Sequence, residues 1–201
     1  NVKESLPKIA ILGTGGTIAS RIDYKTGAVN PAFSAEELYS IIPELSAYAN
    51  INTELVSNIA SEQMNPKDWT NIAKKVIEKI NEGNQGIIIG HGTDTMAYTS
   101  AALSFALENC PIPVIITGAQ RSTDRPSSDA SLNMISSVIM ASKKVLNGVY
   151  LAMHTSIEDN EVSIHSGTRV RKNHTSRRDA FQSIGVDPIA IVNQDKVTVG
   201  E

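Results

Sequence analysis

The fold of this chain is decided by residues 9–17, which read IAILGTGGT. Four apolar residues followed at once by a glycine-rich turn are typical of a short strand that is buried on both faces. Similar runs lie at residues 51–56, 86–89, 114–116 and 149–153. The sequence therefore predicts five buried strands.

Helical patterns lie between these runs. Residues 34–37 carry a capping-box signature, with serine first and glutamate three positions later. Residues 65–81 open with Asn-Pro, a favoured N-cap followed by a proline that the first helical position tolerates. Apolar side chains predict two further helices over residues 96–108 and 128–143.

Strands and helices thus alternate, which predicts an α/β fold: a doubly wound, mainly parallel sheet with helices on both faces. Residues 162–170 and 189–192 predict shorter strands after the main sheet. Residues 196–201 look like the start of another strand that has no partner. Such a strand would indicate that the chain is a piece of a longer one.

Composition narrows the class of protein. The chain has 201 residues, of which 41% are hydrophobic and 19% charged, so we expect one main domain. A net charge of -3 argues against a surface built chiefly for nucleic acid. A single cysteine, Cys110, allows no internal disulfide and predicts a small buried residue. No apolar run reaches the length of a membrane span, which predicts a soluble, cytoplasmic protein.

Polar loops follow four of the predicted strands, at residues 13–17, 61–63, 91–95 and 118–121. In open parallel sheets ligands bind beyond the carboxyl ends of the strands. We therefore expect these four loops to converge on one site.

The first loop has two interpretations. A dinucleotide-binding turn requires a third glycine where this chain has Ile18, and the phosphate-loop pattern is absent. What remains is Thr17, which its position alone predicts equally well as a nucleophile or as a helix cap.

Thr93 and Asp94 favour the chemical interpretation, because they add a hydroxyl and a carboxylate beside the first loop. A threonine nucleophile also needs a base such as lysine or histidine, and spacing does not say which lysine. His154, His165 and His174 lack the spacing of zinc motifs, so no metal site is expected.

Residues 14–19 read TGGTIA and residues 91–95 read HGTDT. Through these two motifs the chain resembles the asparaginase/glutaminase family of type I and II amidohydrolases. The resemblance covers nearly all of residues 1–201, which would correspond to the family's N-terminal catalytic domain without its smaller C-terminal domain. It implies hydrolysis of a side-chain amide through an acyl-threonine, with no metal or organic cofactor in this domain.

The resemblance also implies roles for individual residues. The catalytic ones would be the nucleophile Thr17, its mobile-loop partner Tyr24, and a second set formed by Thr93, Asp94 and Lys172. The substrate-binding ones would be Gly16, Ser61, Glu62, Gly92 and Gln120. Ser61 and Asp94 would hold the α-amino and α-carboxylate ends of the substrate.

Residues 19–29, 120–129 and 170–181 give a narrower resemblance, to the D-type subunits of archaeal glutamyl-tRNA(Gln) amidotransferases. It implies that ammonia from glutamine or asparagine serves the conversion of Glu-tRNA(Gln) to Gln-tRNA(Gln). It also implies a partner, the E-type subunit, which binds the tRNA and uses ATP and Mg²⁺, and a homodimer or larger assembly. The tRNA would be contacted mainly through that partner.

Several alternatives stay open. The chain could be a stand-alone cytoplasmic L-asparaginase, or a non-catalytic amino-acid sensor. The basic residues within 169–178 could contact phosphate, although pairing with acids is the simpler expectation. His91 is expected to bond the backbone or support the site, and Trp69 to lie in the core or at an interface.

Overall fold

The computed structural model describes residues 5–15, 21–22, 29–30, 34–121 and 127–200. Its strands are β1 (Lys8–Gly13), β2 (Arg21–Ile22), β3 (Val29–Asn30), β4 (Asn50–Leu55), β5 (Gly86–Gly90), β6 (Pro113–Thr117), β7 (Gly148–His154), β8 (Glu161–Ser166), β9 (Val170–Lys172), β10 (Phe181–Ser183), β11 (Ala190–Asn193) and β12 (Lys196–Val199). Its helices are α1 (Ala35–Ile41), α2 (Pro66–Asn81), α3 (Met96–Ala106) and α4 (Ala130–Lys143), with 3-10 helices at Pro43–Ala47 and Ser61–Gln63.

One sheet of eight strands organises the described part of the chain, in the order β4-β1-β5-β6-β7-β8-β11-β12. Five neighbouring strands, β4, β1, β5, β6 and β7, pair in parallel. They are the five strands predicted from the apolar runs, but β4 lies at the edge of the sheet and is half-buried, not buried as predicted. The remaining three extend the sheet by antiparallel pairing. The predicted α/β class with a mainly parallel sheet is confirmed.

Strand β1 shows why the sheet is covered on both faces. Successive side chains of a strand point to opposite faces, and all four from Ile9 to Leu12 are fully buried. Ile9 and Ile11 pack in one core cluster with apolar residues of α1 and α4. Ala10 and Leu12 pack in the other with apolar residues of α2 and α3. Each face therefore has its own hydrophobic core.

The predicted helix starts agree with the capping chemistry. Ser34 and Glu37 form a complete capping box at the start of α1, and Asn65 and Asp68 form another at the start of α2. The other two helices are shorter than predicted. Helix α3 ends at Ala106, and Asn109 takes a left-handed φ of 59° soon after. Helix α4 begins at Ala130, because the chain before it is held by loop contacts.

Two expectations about the last third of the chain are wrong. Residues 162–170 do not form one strand: β8 joins the main sheet, whereas β9 pairs with β10 in a separate two-stranded sheet. The strand near the end of the sequence does have a partner. Strand β12 pairs antiparallel with β11 across a two-residue turn, at which Gln194 has a left-handed φ of 53°. Short apolar runs carry no information about which sheet they join.

No helix within residues 5–15, 21–22, 29–30, 34–121 and 127–200 is long and apolar enough to cross a bilayer. Cys110 is buried, as expected.

His165 is a buried titratable group in β8, only 2% exposed. Its Nδ1 lies 2.8 Å from Ser183 Oγ, while Nε2 has no hydrogen-bond partner among the described residues. Burial disfavours the charged imidazolium and lowers the pKa of His165 to about 4. The unfolded chain, with an ordinary histidine pKa, therefore takes up a proton before the folded chain does.

We expect this difference in proton binding to make the fold less stable below pH 6.5. The His165 contribution is absent above the unfolded pKa and reaches about 2.5 kcal/mol of destabilisation near pH 4.5. Urea denaturation at pH 7.5 and pH 4.5 measures it. The loss of unfolding free energy between these pH values should shrink by roughly that amount in His165→Leu.

Ser183→Ala is the matched control, because it removes the same hydrogen bond but keeps the buried imidazole. The control should retain the acid sensitivity. Equal acid sensitivity in His165→Leu and the wild type would contradict the assignment to His165. His91 and His154, whose pKa values are also lowered by burial, should account for part of the remaining pH dependence.

Candidate functional site

The loop after β1 is tied to its two neighbouring strands. Thr14 donates from both its backbone N–H and its hydroxyl to the carbonyl of Gly90, at 3.1 and 2.9 Å. The Thr14 carbonyl in turn accepts the Ser57 hydroxyl at 3.1 Å. The ends of β1, β4 and β5 are thereby joined at the carboxyl edge of the sheet. Gly16, Thr17 and Tyr24 lie outside the described residues, so their roles stay predictions.

The loop after β5 packs against the 3-10 helix Ser61–Gln63. Thr95 donates from its hydroxyl to the Ser61 carbonyl at 2.7 Å. A Cβ added to Gly92 would lie 2.7 Å from both Cβ and Oγ of Ser61, closer than real side chains come. Gly92 therefore has to be glycine for the two loops to meet, and Ser61 is only 5% exposed beneath it.

The loop after β6 packs against His91 and Thr93 in the loop after β5. A Cβ on Gly118 would lie 2.4 Å from the His91 carbonyl and 3.3 Å from Thr93 Cγ2. The buried carboxylate of Asp129 accepts the backbone N–H groups of Gln120 and Arg121, at 3.0 and 2.9 Å. This carboxylate holds the loop in place, so that all the described loops converge as predicted.

Lys172 completes the cluster from the small β9–β10 sheet. Its Nζ donates to Thr93 Oγ1 at 2.8 Å and to Asp94 Oδ1 at 2.9 Å. The Lys172 side chain is 12% exposed and that of Asp94 is 65% exposed. The amine is thus largely withdrawn from water while the carboxylate faces the open side. Spacing in the sequence left the lysine unspecified, and folding brings this one to Thr93 from 79 residues away.

Two other predicted residues lie at the margin. Gln120 donates from Nε2 to the Arg177 carbonyl at 2.9 Å, which connects the loop after β6 to the segment that follows Lys172. Glu62 is exposed on its 3-10 helix. In the part of the chain that the structure describes, its side chain has no polar contact with Thr93, Asp94 or Lys172.

Three residues beside the site went unrecognised as a group. His91, which is 1% exposed, places Nδ1 at 2.6 Å from the Gly92 carbonyl and Nε2 at 2.8 Å from Thr99 Oγ1. Trp69 donates from Nε1 to the same Thr99 hydroxyl at 2.9 Å. Trp69 lies in α2, His91 in the loop after β5, and Thr99 in α3. No local sequence motif predicts a hydrogen-bonded series that crosses three elements.

Hydrogen-bond chemistry fixes the protonation of His91. A carbonyl only accepts, so Nδ1 must carry the proton that bonds Gly92. An indole N–H only donates, so the Thr99 hydroxyl accepts from Trp69 and directs its own proton to Nε2. Burial lowers the pKa of His91, which keeps the imidazole neutral in this single tautomer.

The basic stretch is largely paired within the chain. Arg177 forms an ion pair with Asp179 at 2.6 Å, and Arg178 pairs with Asp159 and with the Ile157 carbonyl. The Arg171 guanidinium lies 5.6 Å from the centre of the Tyr98 ring, a cation–π distance. Five lysine and arginine side chains lie within residues 169–178, all of which the structure describes. Three of them pair with acids, namely Lys172, Arg177 and Arg178.

The described residues contain no group of three or more His, Cys, Asp or Glu side chains that could hold a metal ion. The cluster that they do form combines a hydroxyl, an amine and a carboxylate within hydrogen-bonding reach. Such a combination can pass protons to and from a bound substrate. The fold and this cluster define an α/β protein with a candidate site at the carboxyl edge of its sheet.

A family model described as "Asparaginase, N-terminal" matches residues 8–201. The chain therefore belongs to the asparaginase family. Solved structures agree with this. The thermostable L-asparaginase from Thermococcus kodakarensis superposes with a TM-score of 0.83 and 38% identity, over 96% of this chain and 56% of that one. A probable cytoplasmic L-asparaginase from Campylobacter jejuni gives a TM-score of 0.81 and 31% identity, over 97% and 58%.

Curated relatives include archaeal amidotransferase subunits. The D-type subunit of the glutamyl-tRNA(Gln) amidotransferase of Pyrococcus abyssi is 56% identical over 188 residues, which are 94% of this chain and 43% of that protein. The corresponding protein of Methanosphaera stadtmanae is 50% identical over 200 residues, 100% of this chain and 45% of that protein. The chain spans less than half the length of these curated relatives.

The close packing around Gly118 gives a testable consequence for stability. We expect Gly118→Ala to lower the free energy of unfolding by about 1–3 kcal/mol, because the new Cβ forces the His91 carbonyl to move. Chemical denaturation measures this loss. Gly200→Ala is the control, since a Cβ there would meet only ordinary contacts at 3.4 and 3.5 Å. Equal stability of the two variants would contradict the close contact between these loops.

Proposed function

We propose that this chain carries the catalytic part of an amidohydrolase, which releases ammonia from the side-chain amide of glutamine or asparagine. The observation that carries the proposal is the contact of Lys172 Nζ with both Thr93 Oγ1 and Asp94 Oδ1 at the carboxyl edge of the sheet. Membership of the asparaginase family supports it.

The cluster suits the transfer of a proton from a hydroxyl. In its neutral form the Lys172 amine can accept the Thr93 proton across their 2.8 Å contact. The adjacent Asp94 carboxylate stabilises the ammonium that results, by charge attraction at 2.9 Å. A hydroxyl that has given up its proton can in turn take one from a water molecule or from another hydroxyl. The set thus supplies a base where hydrolysis needs one.

Thr17 is proposed as the nucleophile. It attacks the amide carbon, ammonia leaves, and water then releases the acid from the acyl-threonine. Tyr24 assists Thr17 from the same segment, and the second set of Thr93, Asp94 and Lys172 serves as the proton relay. These steps use side chains alone and call for no metal or organic cofactor in this domain.

Substrate binding is proposed for the residues around this cluster: Gly16, Ser61, Glu62, Gly92 and Gln120. Asp94 would bind the α-amino group through its carboxylate, and Ser61 would bind the α-carboxylate by donating from its hydroxyl. Backbone N–H groups near the start of α3 suit a negatively charged group, because the first turn of a helix leaves its donors unsatisfied.

We further propose that the ammonia serves the conversion of Glu-tRNA(Gln) to Gln-tRNA(Gln). Support comes from the 50–56% identity to archaeal D-type subunits of the glutamyl-tRNA(Gln) amidotransferase. The proposed partner is an E-type amidotransferase subunit that binds the tRNA and uses ATP and Mg²⁺ in the cytoplasm. This chain would assemble as a homodimer or larger, and contact tRNA mainly through that partner.

A stand-alone cytoplasmic L-asparaginase is the second candidate function. The likeness to the two solved L-asparaginases, at 38% and 31% identity, favours it. The amidotransferase proposal has the stronger support, because identity to the amidotransferase relatives is higher over the same part of the chain.

The catalytic proposal predicts that Thr17→Ala abolishes ammonia release by the full-length protein. Lys172→Met should lower kcat by about 100-fold or more, the scale of a lost general base. Ammonia production from glutamine and from asparagine measures both. Arg171→Met is the matched control: its guanidinium lies against Tyr98, and it should retain wild-type turnover. Normal turnover in Lys172→Met would remove the proposed base.

A double-mutant cycle tests whether Thr93 and Lys172 act as one unit. If they do, Thr93→Val combined with Lys172→Met should be little slower than the slower single variant, because residues of one relay are not additive. Independent contributions that multiply in the double variant would contradict the relay.

The amidotransferase proposal predicts a dependence on the partner. Adding the tRNA-binding partner, Glu-tRNA(Gln), ATP and Mg²⁺ should raise glutamine or asparagine consumption and yield Gln-tRNA(Gln). In the same mixture Thr17→Ala should form no Gln-tRNA(Gln) from the amide donor, yet form it when ammonium is supplied directly. Aminoacyl-tRNA analysis measures both outcomes. Amide hydrolysis that ignores these additions, with no amidated tRNA, would favour the stand-alone asparaginase.

A further inference from the structure

A line of three buried or half-buried side chains connects helix α2 to the catalytic loop. It runs from the indole N–H of Trp69 through the Thr99 hydroxyl and the His91 imidazole to the carbonyl of Gly92. Each step measures 2.6–2.9 Å. Both Thr99 and His91 are almost fully buried, at 0% and 1% exposure. The line ends one residue before Thr93.

The catalytic loop needs such a support because of Gly92. Close approach to Ser61 leaves no room for a side chain at this position. Glycine has more backbone freedom than any other residue, so the turn that carries Thr93 would be loosely defined by its own sequence. The His91 N–H on the Gly92 carbonyl restrains that turn. A small rotation there moves the Thr93 hydroxyl away from Lys172.

Thr99 departs from the usual behaviour of a threonine inside a helix. Such a hydroxyl commonly bonds the carbonyl four residues earlier, whereas this one bridges Trp69 and His91. Because the indole supplies a proton to its oxygen, the hydroxyl proton is free to reach His91 Nε2. Thr99 and His91 therefore each accept one hydrogen bond and donate one, while the Trp69 indole only donates and the Gly92 carbonyl only accepts.

We propose that Trp69, Thr99 and His91 are positioning residues that hold the Gly92–Thr93 turn in register with the Lys172 amine. The inference rests on the proposed function, in which Thr93 and Lys172 act together. None of the three has to touch the substrate. Their effect on catalysis is through the orientation of one peptide.

Substitutions at Thr99 separate this role from simple packing. Thr99→Val keeps the shape but removes the hydroxyl, and kcat for ammonia release should fall by about 10–100-fold, since small misplacements of a catalytic group cost this much. KM should change little. Thr99→Ser restores the hydroxyl and should recover most of kcat. Trp69→Phe removes only the indole N–H and should give a smaller loss than Thr99→Val.

A spectroscopic test reads the His91 tautomer directly. Nitrogen-15 NMR of the wild type should show His91 protonated at Nδ1 and unprotonated at Nε2. In Thr99→Val the imidazole loses its hydrogen-bond donor at Nε2, so the Nε2 resonance should shift, whereas Nδ1 should keep the proton that it donates to the Gly92 carbonyl. Thr99→Ser should return the wild-type signature.

Ser137→Ala is the stability control. Its hydroxyl is fully buried in α4 on the other face of the sheet, where it donates to the Asn133 carbonyl at 2.7 Å. Its kcat should match the wild type even where unfolding free energy drops as far as in Thr99→Val. Should Thr99→Val fail to fold, Trp69→Phe carries the same kinetic and NMR comparison.

The inference is overturned by an unchanged kcat and an unchanged His91 Nε2 resonance in Thr99→Val, or by a Thr99→Ser variant as impaired as Thr99→Val. Failure of the proposed function looks different. There the wild type releases no ammonia, or Lys172→Met releases it normally, while the NMR comparison still reports whether the Thr99 hydroxyl donates to His91 Nε2.

Discussion

The two charge-assisted hydrogen bonds of Lys172 are the interaction on which the rest of the site depends. They join a residue of the small β9–β10 sheet to the loop at the end of β5 in the main sheet. A lysine held by two oxygens in a largely buried position has lost most of its own freedom, and it fixes Thr93 and Asp94 in turn. The remaining loops pack against that pair.

The parallel part of the sheet explains why these loops meet at all. Strands β4, β1, β5 and β6 run in the same direction and end at one edge, so the residues that follow them are neighbours in space although far apart in sequence. Bonds from Thr14 to Gly90 and from Thr95 to Ser61 close the gaps between the loops. Asp129 anchors the loop after β6, so that the loops form one continuous surface at this edge of the sheet.

Much of this architecture could be predicted from local patterns. The five apolar runs were sufficient for the parallel strands, and the capping box at residues 34–37 and the Asn-Pro pair at residues 65–66 were sufficient for the starts of α1 and α2. The splitting of residues 162–170 between two sheets could not be predicted, since a buried strand has the same sequence pattern in either. The same holds for β12, whose partner is decided by the turn at Gln194 and by the space beside β11.

The candidate site, too, was only partly predictable from the sequence. Thr93 and Asp94 follow a predicted strand, so their place at the sheet edge was predictable, whereas Lys172 was suggested only by likeness to a family. The hydrogen bonds from Trp69 through Thr99 to His91 join three separate elements, so the spacing of these residues in the sequence does not predict them. Gly92 and Gly118 limit how the site can be redesigned, because the loops pack so closely at both positions that neither has room for a Cβ atom. Libraries that vary this site should leave both positions untouched and vary exposed residues beside it, such as Glu62.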